Sequence, residues 1–141
     1  IRIYFSKLEG VSRLFETIQE GAEQRGYVTT LFGRRRLLPD INSRNENLAQ
    51  QSRRLAVNSV IQGSAADIIK KAMLLAADDE ELARVDARLI LQVHDELLME
   101  IPRDGAQKAG ERLARIMSGV AELEVPLTVE WGLGENWAKA H

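Results

Sequence analysis

The stretch LILQVHDELLMEIP, residues 89–102, decides how the rest of the chain is read. Two β-prone runs, residues 87–93 and 97–101, flank a polar centre of His94, Asp95 and Glu96, and Pro102 follows, which predicts an antiparallel hairpin. Strand alternation sends successive side chains to opposite faces, so a tight turn between two buried strands lifts the three polar residues out of the core. Asp95 and Glu96 then offer hard oxygens of the kind that hold Mg²⁺ beside a phosphate, because that ion keeps most of its waters and needs only one or two protein carboxylates. On these residues alone, a solvated turn is the commoner meaning of the same letters, since acidic residues are ordinary at turns.

Upstream, a helical period begins near Leu48 and runs through Leu55, Val57 and Ile61. Gly63 costs about 1 kcal/mol against Ala inside a helix and predicts a break, with Ser64 capping a second helix whose buried stripe is Ala65, Ile68, Ile69, Ala72, Met73 and Leu75. Asn58 and Gln62 stand four apart, so their amides share a face and present both donors and an acceptor, with Arg54 one turn earlier. By spacing alone that face is simply polar and solvated, as are Lys70 and Lys71.

Residues 27–38 carry the β-prone run YVTTLF, a turn at Gly33 and three arginines, Arg34, Arg35 and Arg36, before Pro39 and Asp40, and predict a second, shorter hairpin. Its cationic tip suits either a phosphate backbone, with salt-dependent affinity, or neighbouring acids within the fold. Apolar residues at Phe5, Leu8, Val11, Leu14, Phe15, Ile18 and Ala22 predict a helix from Tyr4 to about Gln24, stopped by Gly26. Beyond an acidic DDEE loop at 78–81 and the central hairpin, the pattern predicts a helix over 104–118 with Ala106, Ala109, Leu113 and Ile116 inward. A last strand over 125–131 and a glycine-rich tail follow, with Trp131 and Trp137 as packing residues. Helices interleaved with antiparallel hairpins make the fold class α+β.

The composition of the 141 residues, 45% hydrophobic and 28% charged, is that of an ordinary globular domain. With no cysteine and two histidines, disulfides and a histidine-rich zinc site are excluded, and any metal falls to carboxylates, which favours Mg²⁺ or Mn²⁺. No membrane-length apolar run or signal peptide occurs, and a cytoplasmic protein is expected. Residues 1–54 hold ten Lys/Arg against six Asp/Glu, whereas 55–141 hold nine against fifteen, so the basic half is the one suited to phosphates. The chain opens on Ile1 in amphipathic sequence, which suggests an excised piece.

QVHDE between two apolar runs resembles motif C of the family A DNA polymerases, the bacterial DNA polymerase I type. GYVTTLFGRRRLLPDI at 26–41 resembles the hairpin after the fingers helices, RLAVNSVIQGSAADIIKKAM at 54–73 the helix pair leading to motif C, and VPLTVEWGLGENWAKAH the carboxy terminus of the same enzymes. The resemblance implies the carboxy-terminal part of a DNA-directed DNA polymerase of replication and repair, with 1–26 ending the fingers and 27–141 forming the later palm, an antiparallel sheet packed by helices. It implies nucleotidyl transfer with two Mg²⁺ ions about 4 Å apart, with Asp95 a catalytic metal ligand and Glu96 assisting at the metal or primer end. His94 would lie near the primer terminus, Asn58 and Gln62 in the duplex minor groove, and Arg54 at the nascent pair. Minor-groove acceptors are nearly alike for all base pairs, which suits a protein that must hold every sequence. Partners would be primer-template DNA and dNTP in the full-length enzyme, with no membrane.

Two elements that the family uses are not among these residues: the DYSQIELR-like strand with a further metal-binding aspartate, and the RxxxKxxxFGxxYG-like helix that neutralises the triphosphate. The chain by itself is therefore expected to be inactive, with an open sheet edge and exposed apolar surface that favour self-association. A non-catalytic nucleic-acid-binding module on a partial palm is the alternative. Phage-type RNA polymerases usually carry HDS where this chain has HDE, and Glu96 favours DNA synthesis.

Overall fold

The computed structural model describes residues 7–140, and Tyr4 and Phe5 of the first expected helix lie outside them. The chain is α+β, with two small antiparallel sheets, and divides into two compact units, Ile1–Asp67 and Ile68–His141.

In the first unit, helix α1 (Glu9–Arg25) turns Ile18 and Ala22 inward, while Leu8 and Leu14 stay exposed. Gly26 at φ 75° ends it, its N–H donating to the Ala22 carbonyl, a left-handed closure that glycine adopts without a Cβ penalty. The chain reverses into β1 (Tyr27–Thr29), paired antiparallel with β2 (Arg35–Leu37) so that Tyr27 opposes Leu37, Val28 opposes Arg36 and Thr29 opposes Arg35. Val28, Leu38, Ile41, Ala22 and Ala56 form the core.

Asn45 then accepts a hydrogen bond from the Asn47 N–H at 3.0 Å and starts helix α2 (Glu46–Ala77). The expected break at Gly63 does not occur: α2 runs unbroken for 32 residues. Ser64 caps nothing there, and its hydroxyl donates to the Val60 carbonyl one turn back. A glycine costs only about 1 kcal/mol in a helix interior, and packing leaves no room for a larger residue there, because a Cβ built on Gly63 would lie 2.8 Å from Thr30 Cγ2. Along the second half of α2, Ala72 and Ala76 are buried, but Ala65 and Leu75 of the expected stripe are exposed.

After α2, the second unit holds a helix where a loop was expected. Asp79 accepts from the Leu82 N–H at 3.0 Å and caps the short helix α3 (Glu80–Arg84). β3 (Arg88–Val93) pairs antiparallel with β4 (Glu96–Glu100), with a bulge between Leu89 and Leu91. A 3₁₀ turn (Arg103–Gly105) leads into α4 (Ala106–Ser118), whose Ala109 joins Ala76 and Leu82 in a second core flanked by Met99, Leu113 and Ile116. The Trp131 ring packs over Gly110, where a Cβ would collide with it. The expected strand at 125–131 does not form: among the described residues no strand pairs with this segment, and Val125 is 73% exposed. Strand character belongs to a pair, so β-prone residues alone do not make one. Helix α5 (Trp137–Ala140) ends the described chain.

Thr30 cannot swing its methyl away from Gly63, because it is β-branched and its Oγ1 accepts the Arg34 N–H at 3.1 Å. Gly63→Ala should therefore lower the urea midpoint, the close contact costing about 1–3 kcal/mol against about 1 kcal/mol gained in helix propensity. Adding Thr30→Ser, which keeps the hydroxyl and deletes the methyl, should recover stability. A Gly63→Ala chain more stable than the parent would contradict the packing.

Asp79 is a second handle on stability. Its side chain is 9% exposed and accepts two bonds from Arg112, at 2.6 and 3.0 Å, which hold its carboxyl below the usual carboxylate range. A carboxyl whose folded pKa is depressed stabilises fully above its unfolded value of about 3.9 and loses that contribution as pH falls through the folded value. Asp79→Asn should thus destabilise at pH 7, with the gap to the parent narrowing below about pH 4, as read by urea denaturation across pH. A gap constant into acid would show that the ion pair is not its source.

Candidate functional site

In the second unit, Val93 opposes Glu96, which leaves His94 and Asp95 as a two-residue turn. His94 takes φ 52°, a left-handed conformation uncommon for a side-chain-bearing residue, and its carbonyl accepts from the Gln92 side-chain amide. His94 and Asp95 are exposed, whereas Glu96, the first residue of β4, is half-buried.

Paired residues share a face, so Leu91, Val93, Glu96 and Leu98 lie on one side of the hairpin, and Leu89, Gln92, Leu97 and Met99 on the side that reaches the core. Two adjacent carboxylates, one at the tip and one at the start of a strand, suit a hard, largely hydrated cation such as Mg²⁺. Among the described residues no group of three or more His, Asp or Glu could hold a metal ion, so this donor set fits one side of a site rather than a closed cage.

The first unit gathers a different set. A cleft of about 270 Å³ lies between the β1–β2 hairpin and α2, and Arg34, Arg36, Asn58, Gln62 and Gly63 line it. Its two amides stand on one helical face, as their spacing predicts, and both are exposed.

The three hairpin arginines are not equivalent. Arg34 donates from Nε to Asp67 at 2.8 Å and from its terminal nitrogen to the Gly63 carbonyl at 3.1 Å. Arg35 lies over the Tyr27 ring at 5.2 Å, with Arg25 at 5.9 Å from the same ring. Arg36 makes no ion pair or side-chain hydrogen bond among the described residues, and neither does the exposed Arg54. Its neighbour Arg53 is the structural member, paired with Glu23 at 2.8 Å and Glu46 at 3.0 Å.

Sequence reasoning thus named four residues that share this cleft and missed the part of Ser64 and Asp67, which accept hydrogen bonds from Leu31 and Arg34 of the facing hairpin. One signal was present: a glycine inside a helical pattern can have a packing reason.

The sequence model of DNA polymerase family A matches residues 1–139. The chain is 44% identical over 138 residues to DNA polymerase I of Pseudomonas aeruginosa, covering 98% of this chain and 15% of that protein. It is 46% identical over 140 residues to DNA polymerase I of Bacillus caldotenax, covering 99% and 16%. With the thermostable DNA polymerase I of Thermus thermophilus it shares 44% over 140 residues, covering 99% and 17%. The chain thus spans roughly a sixth of the length of these curated relatives. Among solved structures, the POL domain of Pol1 from M. smegmatis, in complex with DNA primer-template and dNTP, superposes with a TM-score of 0.92 at 38% identity, covering 97% of this chain and 24% of that one.

Proposed function

The chain belongs to DNA polymerase family A, and from that premise we propose that it is part of a DNA-directed DNA polymerase in which residues 94–96 form one side of the nucleotidyl-transfer centre. In this reading residues 1–26 close the fingers and 27–141 belong to the palm. The observation that carries it is the two-residue connection between Val93 and Glu96, which leaves the Asp95 carboxylate exposed with Glu96 directly after it.

Asp95, with Glu96 beside it, would hold Mg²⁺, which when bound supplies positive charge for the triphosphate and makes the primer 3′ hydroxyl more acidic. The protein's own part is positional. Asp95 carries its carboxylate in the two-residue turn, and Glu96 stands in the strand ladder opposite Val93. His94, in the same turn, faces the primer strand.

On the first unit, Asn58 and Gln62 present amide donors to the acceptors that every base pair carries in the minor groove. Arg36, beside them in the cleft, meets backbone phosphate, and Arg35 and Arg54 add positive charge. Primer-template DNA and dNTP, which the M. smegmatis domain holds in its complex, are the substrates of this reading. The remaining carboxylate ligand and the triphosphate-binding cations come from segments outside these residues. The absence of any membrane-length apolar helix among the described residues is compatible with work on DNA.

In the full-length protein, Asp95→Asn should lower primer extension by several orders of magnitude while duplex affinity, read by fluorescence anisotropy, stays within a few-fold. Near-normal extension would remove Asp95 from the chemistry. The 141-residue chain alone should incorporate no nucleotide in the same assay, and measurable incorporation would show that it carries a complete centre.

A further inference from the structure

We propose that Ser64 and Arg34 are positioning residues that set the spacing between the β1–β2 hairpin and the Asn58–Gln62 face of α2, and thereby the width of the amide-lined cleft. The proposal rests on reading that cleft as a surface for the primer end. Three hydrogen bonds carry it. The Leu31 N–H donates to Ser64 Oγ at 2.8 Å, and Arg34 donates to Asp67 and to the Gly63 carbonyl. All three span 29 to 33 residues of sequence, and all land on one turn of α2, directly after Gln62.

Each half of this latch is pre-set. The Ser64 hydroxyl gives its hydrogen to the Val60 carbonyl, which fixes its rotamer and leaves a lone pair for Leu31. Arg34 reaches two acceptors four residues apart with one planar group, a span that the single ammonium of lysine does not reproduce. Its own backbone is tied down as well, since Thr30 and Arg34 bond each other through Thr30 N–H to Arg34 carbonyl at 2.9 Å and Arg34 N–H to Thr30 Oγ1. Gly63 admits the approach, because a side chain there would meet Thr30 and Arg34.

The three adjacent arginines therefore divide their work. Arg34 spends its charge on Asp67 and spaces the walls, Arg35 stacks on Tyr27, and Arg36, in the strand opposite Val28, lines the cleft with the amides.

The test uses the full-length protein and two readouts. Amide hydrogen exchange of the segment containing Leu31 reports the latch directly, and the ratio of extension efficiency from matched against mismatched primer ends reports the geometry of the amides. Ser64→Ala should speed exchange at Leu31 by about fivefold, the equilibrium worth of one hydrogen bond, and should lower the matched-to-mismatched ratio several-fold. Ser64→Thr, which keeps the hydroxyl, should restore both, and Arg34→Lys should behave like Ser64→Ala. A merely structural loss would reduce active protein without moving the ratio. Unchanged exchange at Leu31 in Ser64→Ala overturns the proposal. It is equally overturned if exchange rises but the ratio stays fixed, while Asn58→Ala and Gln62→Ala do lower it. If those amide variants leave the ratio unmoved as well, the reading of the cleft as a primer-end surface has failed, and the proposal falls with it.

Discussion

A hairpin whose strands meet at Val93 and Glu96 has no latitude about what it displays. His94 and Asp95 must form the connection, one of them in a left-handed conformation, and the carboxylate at the tip cannot retreat into the core without unpairing the strands. The other end of the same hairpin is held by the core, where Met99 packs among Ala76, Leu82 and Ala109. The bulge at Ile90 reconciles the two ends: unbroken alternation from the turn would set Ile90 against Met99, and the extra residue hands that place to Leu89. Ile90 is left 56% exposed and Leu91 43% exposed, apolar surface on a two-stranded sheet whose outer edges are unpaired among the described residues.

The first unit depends on a different constraint, the missing Cβ at Gly63. That gap lets a short hairpin lie against a long helix closely enough for a backbone N–H to reach a serine hydroxyl and for an arginine to reach a backbone carbonyl. The cleft and its amides follow from that approach. Arg53, with Glu23 and Glu46, and Asn42, whose amide donates to the Glu23 carbonyl at 2.8 Å, fasten the end of α1 to the start of α2. These contacts involve none of the residues that line the cleft, and they leave Arg36, Asn58 and Gln62 exposed there.

Much of this was legible in the sequence because much of it is local. Alternation on either side of His94, Asp95 and Glu96 gives the hairpin and its exposed tip, and the four-residue spacing of Asn58 and Gln62 gives a shared face. The helix cap at Asp79 was equally available, since an aspartate before two glutamates and a leucine is a start signal, yet it passes for a loop when read by charge alone. Other features were out of reach for a physical reason. Gly63 read by propensity breaks a helix, and only the far-off Thr30 shows why a glycine stands there. Residues 125–131 have strand composition but no partner among the described residues, and the pairing of Arg34 with Asp67 joins positions 33 residues apart that no period connects.

The proposed function comes down to the exposed turn, where a divalent ion would sit beside Asp95. Ferrous ion in place of Mg²⁺, with peroxide and ascorbate, generates hydroxyl radicals where it is held and cuts the backbone there, and mass spectrometry of the full-length protein bound to primer-template locates the cuts. The account predicts cleavage centred on residues 93–97 that excess Mg²⁺ suppresses. An intact turn, with cuts confined to other parts of the molecule, would contradict it.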